Sequence, residues 1–416
     1  MDPLVFRIGL FVIAALSILG MLVRPFRSKE WMWAAGGALA LIVTREISSA
    51  DAGAAVLRGA NVYAFLVGIM ALAELARHEQ LFDWLASGIL RAGGGSRSRL
   101  LLLIYALGAL VTTLLSNDTT AVVLTPAVFT ALARTDADPL PYLYACAFVA
   151  NAASFVLPIS NPANLVIFGH ALLPLVPWLR TFGLSAAAAV LVTYGLLSWA
   201  VRDSLKAPYH FEDGAVELDA RGRAALVVVS FAALALVAAA SLGWSLGLAA
   251  LTSAVAATAV VSAHDRGAAA VVARRISWQI VPLVAGLFVI VAALDGGGLI
   301  ALVRHLITVA PSFGFVGGRL IVAGSFMVAD NVFNNLPVAL AGGYALQSMH
   351  ATAPVAGTML AGVDIGPNLS VTGSLATLLW LMALRRAGIV VTPLQFFRLG
   401  VIVTLPALIA AALLVR

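Results

Sequence analysis

The sequence predicts an all-α polytopic membrane protein, with about ten transmembrane helices plus two re-entrant helical hairpins in two inverted-topology repeats. Hydrophobic residues make up 62% of the 416 residues and charged residues only 11%, whereas a soluble domain carries about 25% charged residues. The mean hydropathy is +1.02. Apolar and polar residues do not alternate at period two, so the pattern excludes an outer-membrane barrel.

Charge and cysteine content exclude several other classes. The net charge of +6 comes from basic residues in short loops between apolar runs, which is typical of membrane proteins and predicts no nucleic-acid partner. The single cysteine, Cys146, excludes a disulfide framework and a thiolate metal cluster. The chain has no zinc-protease motif and no phosphate-binding loop, so we expect a secondary transporter without a cofactor, not an enzyme.

Two apolar runs are too long for a single membrane span. About 20 residues cross the hydrocarbon core, whereas the runs 99–134 and 316–350 are longer and contain polar clusters. We therefore predict a hairpin in each run and a broken helix after it. The predicted parts are a first repeat at 1–201 with a cytoplasm-facing hairpin at 99–134 and a broken helix at 141–173, a cytoplasmic linker at 202–222, and a second repeat at 223–416 with an outward-facing hairpin at 316–350 and a broken helix at 353–384.

The basic residues set the predicted orientation. With the N-terminus outside, most of the 25 Lys and Arg residues fall in cytoplasmic loops. The first hairpin then enters from the cytoplasm and the second from outside, which implies an inverted repeat. The interval from Asn117 to Asn151 equals that from Asp330 to Asp364, in agreement with two related halves.

Polar side chains occupy the predicted hairpin tips and helix breaks. Ser, Asn, Asp and Thr compete with the backbone inside a helix but cap free backbone groups at a break. Such helix ends carry partial charges and hold polar solutes or ions, so these residues either cap the breaks or also bind a solute. We assign substrate binding to Ser116, Asn117, Asn161, Asn164, Asn334, Asn335 and Ser374. We expect further polar residues to line the pathway, namely Thr119, Asn151, Asn331, Asn368 and Thr377.

Three acids, Asp118, Asp330 and Asp364, are the candidates for proton coupling. Desolvation favours the protonated form of a buried carboxyl group, so a carboxyl group deep in the membrane is suited to proton exchange near neutral pH. The alternative for each acid is a purely structural pairing with an asparagine or a helix N-terminus. The sequence leaves open which acid carries the proton.

Six segments also carry a resemblance to a known family. They are Leu115–Asp118, Leu124–Pro126, Asn334–Pro337, Asp364–Pro367, Gly373–Leu381 and Gly400–Pro406. Over nearly the whole chain the pattern resembles the arsenite/antimonite efflux permeases of the ArsB type, in the ion transporter superfamily. Two departures concern the acids, because family members often carry an acid where Asn151 stands and an apolar residue where Asp330 stands.

The resemblance implies export of As(III) and Sb(III) hydroxides from the cytoplasm across the inner membrane in exchange for protons, which confers arsenic resistance. It also implies membrane lipid as the surroundings and, in some members, a cytoplasmic ATPase partner (ArsA). The arsenic or antimony is substrate only. At neutral pH both hydroxides are uncharged, and amides and hydroxyls both donate to and accept from such groups.

Other transport functions remain open at this point. One is a sodium- or proton-coupled anion or dicarboxylate transporter of the same superfamily. The others are a passive channel and the membrane subunit of an ATP-driven arsenite pump. Two opposed hairpins favour alternating access over an open pore.

Overall fold

The structure is a computed structural model that describes residues 3–25, 28–211, 216–263, 265–349 and 351–416. The side chains of residues 3–7 and of His170 are outside this description. Parts of the predicted units therefore lie outside the described residues: 1–2 and 26–27 of the first repeat, 212–215 of the linker, and 264 and 350 of the second repeat, the last being the end of its hairpin.

Helices make up most of the described chain, which confirms the predicted all-α polytopic class. The described ranges contain no strand, and isolated bridges join only Ser96 to Pro208 and Thr135 to Phe211. Among the described residues, seven helical segments are long and apolar enough to cross a membrane, and four shorter apolar helices accompany them. The division into about ten spans, two hairpins and two inverted repeats stays a prediction.

Most helices run without interruption. The long ones are Pro3–Val23, Glu30–Val43, Ala60–His78, Leu175–Ala200, Ala220–Leu242, Leu246–Ser262, Ile280–Gly296 and Pro393–Leu414. The short ones are Ser49–Arg58, Leu81–Gly93, Ala268–Arg275 and Leu299–Val309, with single 3₁₀ turns at Gly169–Ala171, Arg202–Leu205, Ala310–Phe313 and Gly366–Leu369. Side chains at their N-termini satisfy free backbone groups, as where Thr392 and Gln395 form a reciprocal capping box.

Four helical stretches break where the sequence places polar clusters. In the first stretch, the helix Arg97–Leu115 is followed by Asn117–Thr119, by the π-turn Thr120–Leu124 and by the helix Thr125–Leu132. The other three stretches each consist of two helices: Leu140–Ala152 and Pro162–Phe168, Gly314–Phe333 and Asn335–Met349, and Ala353–Ile365 and Leu375–Arg386. Each break frees backbone groups that hydrocarbon cannot satisfy, so polar side chains must do so.

Small residues let helices approach closely. A Cβ on Gly68, in the helix Ala60–His78, would lie 2.4 Å from the backbone carbon of Ala250, in the helix Leu246–Ser262. Close backbone packing at small residues is the usual way in which membrane helices associate, because lipid tails provide little hydrophobic drive. The two helices therefore form a tight pair beside the polar breaks.

An aromatic cluster packs the two broken helices together. The rings of Phe148 and Phe396 stack with centroids 5.3 Å apart, and Trp380 and Tyr144 lie against them. The indole N–H of Trp380 donates to the carbonyl of Leu143 at 2.9 Å. Buried indoles of this kind combine a large apolar contact with one satisfied donor, so the cluster fixes the helix Leu375–Arg386 against the helix Leu140–Ala152.

The described part of the predicted linker is anchored to the first half at Tyr209, although most of its residues are exposed. Tyr209 is 2% exposed, its backbone N–H donates to the carbonyl of Gly95 at 2.8 Å, and its hydroxyl donates to the carbonyl of Leu90. His210 and Asp136 pair at 2.9 Å. The segment is therefore attached to the loops of the first half.

Gly68→Ala should destabilise the protein by about 1–3 kcal/mol, because the added methyl group collides with backbone that cannot rotate away. The matched control is Gly195→Ala in the helix Leu175–Ala200, where nothing lies within 4 Å of the new Cβ. That change should leave stability unaltered or raise it by up to about 1 kcal/mol. Reversible unfolding in mixed detergent micelles measures both, and equal effects would contradict the packing described.

Candidate functional site

Two of the four breaks, those after Leu115 and after Phe333, contain a residue with a positive φ angle. The helix Arg97–Leu115 ends at Ser116, with φ 130°, and the helix Gly314–Phe333 ends at Asn334, with φ 73°. Residues other than glycine rarely adopt such backbone angles. At each of these breaks the chain turns sharply. The backbone N–H of the next residue then points away from the axis of the preceding helix.

Each of these two breaks is joined by one backbone hydrogen bond to the next break along the chain. The N–H of Asn117 donates to the carbonyl of Ser160 at 3.2 Å, and the N–H of Asn335 donates to the carbonyl of Gly373 at 3.0 Å. Asn161 and Ser374, the next residues after the acceptors, cap the helices that begin at Pro162 and Leu375. The two halves therefore repeat the same local construction.

Side chains satisfy the backbone groups that the breaks in the first half release. The Ser116 hydroxyl accepts from the N–H of Thr119 at 3.4 Å, and the Asn161 side-chain oxygen accepts from the N–H of Ala163 at 3.0 Å. The Asn164 amide donates to the carbonyl of Ser154 at 3.0 Å. These contacts give Ser116, Asn161 and Asn164 a structural role at the breaks.

The second half uses a hydroxyl-rich network. The Asn331 amide donates to the carbonyl of Gly366 at 2.9 Å and its side-chain oxygen accepts from the Ser370 hydroxyl at 2.6 Å. The Ser374 hydroxyl accepts from the N–H of Thr377 at 3.1 Å. Asn331 therefore fastens the helix Gly314–Phe333 to the break between Ile365 and Leu375.

Buried side-chain hydrogen bonds at the breaks cross between the two halves. The Asn161 amide donates to Oδ1 of Asp364 at 2.6 Å. The Asn151 amide donates to the side-chain oxygen of Asn368 at 2.9 Å, and the Asn368 amide donates in turn to the carbonyl of Phe148 at 2.9 Å. Asn151, Asp364 and Asn368 are 0–1% exposed, so these bonds form away from solvent.

A cavity of about 70 Å³ lies where the breaks of both halves meet. Its polar wall consists of Asn117, Asp118, Asn161, Asn334 and Asn335, together with Glu30. Apolar side chains form the rest, and no Lys or Arg among the described residues lines it. The wall offers amide donors, amide acceptors and two acids to a small solute.

A larger cavity of about 520 Å³ adjoins the smaller one. The two share Asp118, Pro162 and Glu30, and the larger one also reaches Ser116 and Thr119. Besides Asp118, the charged residues Arg24, Lys29, Glu30 and Glu74 line it. Arg24 forms an ion pair with Glu30, which also lines the smaller cavity.

Two of the three predicted proton-coupling acids lie behind this wall. Asp330 and Asp364 are 0% exposed and line neither cavity. Within the described part of the chain, both oxygens of Asp330 and Oδ2 of Asp364 have no hydrogen-bond partner. The glycines that flank Asp364 explain how it is enclosed, because a Cβ on Gly366 would lie 2.7 Å from the Cα of Met327. Asp118 alone among the three faces both cavities.

The predicted site residues therefore fall into three groups. Asn117, Asp118, Asn161, Asn334 and Asn335 share the smaller cavity, and Ser116 and Thr119 reach the larger one. The remaining residues line neither of these two cavities: Asn151, Asn164, Asp330, Asn331, Asp364, Asn368, Ser374 and Thr377. All of them except Asp330 form side-chain hydrogen bonds at the breaks. Their binding or coupling roles stay predictions.

Sequence reasoning missed Glu30 and its partner Arg24. Glu30 opens the helix Glu30–Val43, where an acid is common because it interacts favourably with the helix dipole. An acid at the start of an apolar helix is therefore a weak signal. Only the packing of that helix against the helices Pro3–Val23 and Ile280–Gly296 brings Glu30 to the cavity.

Comparison with known proteins now identifies the family. The sequence profile of the CitMHS citrate transporter family matches residues 4–384. The chain belongs to the CitMHS citrate transporter family. The protein is therefore a multi-pass membrane transporter.

Curated relatives confirm the resemblance to arsenical efflux permeases. The chain is 28% identical over 370 residues to the arsenical pump membrane protein of Yersinia enterocolitica, covering 86% of each chain. It is 28% identical over 381 residues to that of Escherichia coli K12, with 86% of each covered. An uncharacterized transporter of Mycobacterium tuberculosis is 25% identical over 419 residues, with 94% of each covered.

A solved structure shares the fold of this CitMHS member. The crystal structure of the Alcanivorax borkumensis YdaH transporter, described as having an unusual topology, superposes with a TM-score of 0.55. The match covers 99% of this chain and 97% of that chain at 14% sequence identity. A similarity at this level of identity concerns the architecture alone.

The hydrogen bond between Asn151 and Asn368 should be detectable by a double-mutant cycle. Asn151→Ala, Asn368→Ala and the double variant should give a coupling energy of about 0.6–1.7 kcal/mol, the range for buried pairs in membrane proteins. The control cycle uses Asp203 and Lys206, an exposed pair at 2.6 Å, which should couple more weakly because water screens exposed ion pairs. Additive effects at Asn151 and Asn368 would mean that the contact does not join the halves.

Proposed function

We propose that the protein exports As(III) and Sb(III) hydroxides from the cytoplasm across the inner membrane in exchange for protons, and thereby confers arsenic resistance. The observation that carries the proposal is the cavity that Asn117, Asn161, Asn334 and Asn335 line together with Asp118, with no cationic side chain among the described residues of its wall. The similarity to arsenical pump membrane proteins of enteric bacteria supports the same substrate.

The chemistry of the cavity fits an uncharged cargo. Arsenite and antimonite at neutral pH carry hydroxyl groups and no charge, and each hydroxyl both donates and accepts a hydrogen bond. An asparagine offers an NH₂ donor and a carbonyl acceptor, so opposed asparagines match several hydroxyls at once. The volume of about 70 Å³ restricts the cargo to a small solute.

A citrate or dicarboxylate transporter is the second candidate, because the matching family profile carries that name. A polycarboxylate bound in the smaller cavity would face Asp118 and Glu30 with no Lys or Arg among the described wall residues. Negative groups enclosed in one small cavity repel each other strongly, because little water is present to screen them. The neutral hydroxide therefore suits this wall better than an anion.

The proposed loading route starts at the larger cavity. Arg24 and Lys29 line this cavity, and the basic-residue distribution predicts that these residues are cytoplasmic. Arsenite would enter from the cytoplasm past the ion pair of Arg24 and Glu30. If the halves form inverted repeats, rocking of one against the other would then open the site to the outside.

Asn161 provides a route for coupling cargo to protons. It lines the smaller cavity and also donates to Asp364 at 2.6 Å. An ionised carboxylate without further partners is costly in a buried environment, so Asp364 would release its proton only when the breaks rearrange. Asp118 and Asp330 are the other carriers in the proposal.

As(III) should accumulate in proteoliposomes whose lumen is more acidic than the bath, because each arsenite that enters is exchanged for protons that leave. Uptake should collapse with a protonophore and should not require ATP. The control is the same preparation with citrate or sodium gradients. Sodium-dependent citrate uptake, or arsenite export that needs ATP and a soluble ATPase such as ArsA, would contradict the antiport mechanism.

Asp364→Asn should abolish proton-driven accumulation and reduce it to the level of empty liposomes, because the amide has nearly the same size but cannot titrate. Exchange of labelled for unlabelled arsenite at equal pH should persist, since the amide wall is intact. The matched control is Asp295→Asn, an exposed acid, which should keep wild-type coupling. Normal accumulation by the Asp364 variant would remove that acid from the mechanism.

A further inference from the structure

A second cluster of chemically active side chains lies away from the transport cavities. It comprises His78 and Glu79 at the end of the helix Ala60–His78, and Asp265, which follows the helix Leu246–Ser262. His78 Nε2 lies 3.0 Å from Oδ2 of Asp265 and 3.8 Å from Oε1 of Glu79. All three ligand atoms lie within 4.8 Å of one another.

These distances fit a bound metal ion. A tetrahedral ion with ligand bonds of about 2.0–2.2 Å separates its ligand atoms by about 3.3–3.6 Å. The observed 3.0 and 3.8 Å lie on either side of that range. Small side-chain movements would therefore place one imidazole nitrogen and two carboxylate oxygens around a single ion.

Glu79 supplies an independent indication. Its side chain is 7% exposed, and its Oε1 is buried without a hydrogen-bond partner in the described part of the chain. A buried carboxylate oxygen is costly to leave unsatisfied. Oε1 points to the same space as the imidazole of His78, so a cation between the three groups would satisfy it.

The charges of the three groups match a divalent cation. Two carboxylates balance two positive charges, and an imidazole nitrogen adds a neutral ligand. The occupied site would therefore carry no net charge.

We infer that His78, Glu79 and Asp265 form a binding site for a first-row divalent transition ion of the Zn²⁺ type. One imidazole nitrogen and two carboxylate oxygens match the ligand preference of such ions. His78 and Asp265 are about one-quarter exposed at their side chains, so the fourth coordination position is open to water. Mg²⁺ fits less well, because it prefers oxygen ligands in octahedral geometry.

The proposed metal site connects two closely packed helices. It joins the end of the helix Ala60–His78 to the loop after the helix Leu246–Ser262, the pair that packs closely at Gly68. Leu66, Ile69 and Met70 of the first helix line the larger cavity. Metal at this end would therefore clamp one wall of the larger cavity at the side where basic residues predict the cytoplasm.

The direct test is the zinc stoichiometry of the purified full-length protein, prepared with a histidine-free affinity tag and stripped with a chelator. Titration with Zn²⁺ should give one ion per chain, and X-ray absorption should show nitrogen and oxygen ligands without sulfur. Asp265→Asn and His78→Gln should each weaken binding by at least about tenfold. The asparagine retains an acceptor for the N–H of Gly267, so the loop should keep its fold.

The protein contains a matched control pair. His210 and Asp136 also lie 2.9 Å apart, but no third ligand joins them in the clusters that the described residues form. Asp136→Asn should leave the zinc stoichiometry at one. Monodisperse size-exclusion profiles establish that all variants are folded. Unchanged zinc affinity in Asp265→Asn or His78→Gln, equal loss in Asp136→Asn, or binding of Mg²⁺ in preference to Zn²⁺ would overturn the assignment.

Discussion

The structure depends on one constraint: backbone groups released by a helix break inside a membrane must find partners within the protein. Four breaks place many such groups close together. Asparagine, serine and threonine satisfy them, as Asn161 does for Ala163 and Ser374 for Thr377. Because each asparagine has both a donor and an acceptor end, a residue that caps a helix with one end retains the other for a neighbour or a solute. The candidate site follows from this surplus.

Asn161 illustrates how capping and transport become connected. Its side-chain oxygen caps the helix Pro162–Phe168, its amide donates to Asp364, and it lines the smaller cavity. A change at any of these three places moves the same planar group. In the proposed mechanism, cargo and proton influence each other through this one side chain and need no longer pathway. Asp118 and the enclosed pair Asp330 and Asp364 then lie on the two sides of a single wall.

The family's name and the character of the cavity point to different cargoes. A citrate carrier needs positive charge or bound cations to balance its substrate, whereas the smaller cavity presents amides and two acids. One architecture accommodates both chemistries because the fold fixes the positions of the breaks and leaves the side chains at those breaks free to vary. Substrate choice therefore depends on the side chains at the breaks and not on the shared fold.

The sequence by itself determined the fold class and the approximate positions of the breaks. Long apolar runs must form helices in lipid, and Ser116 or Asn334 inside such a run marks where a helix cannot continue. Only the tertiary structure decided which polar side chains face a cavity. Asn334 lines it, while Ser374 and Asn164 turn to backbone groups. The same holds for Glu30 and for the cluster of His78, Glu79 and Asp265, which helices distant in sequence bring together. Local propensity acts over a few residues, whereas cavities and ligand sets arise from the packing of whole helices.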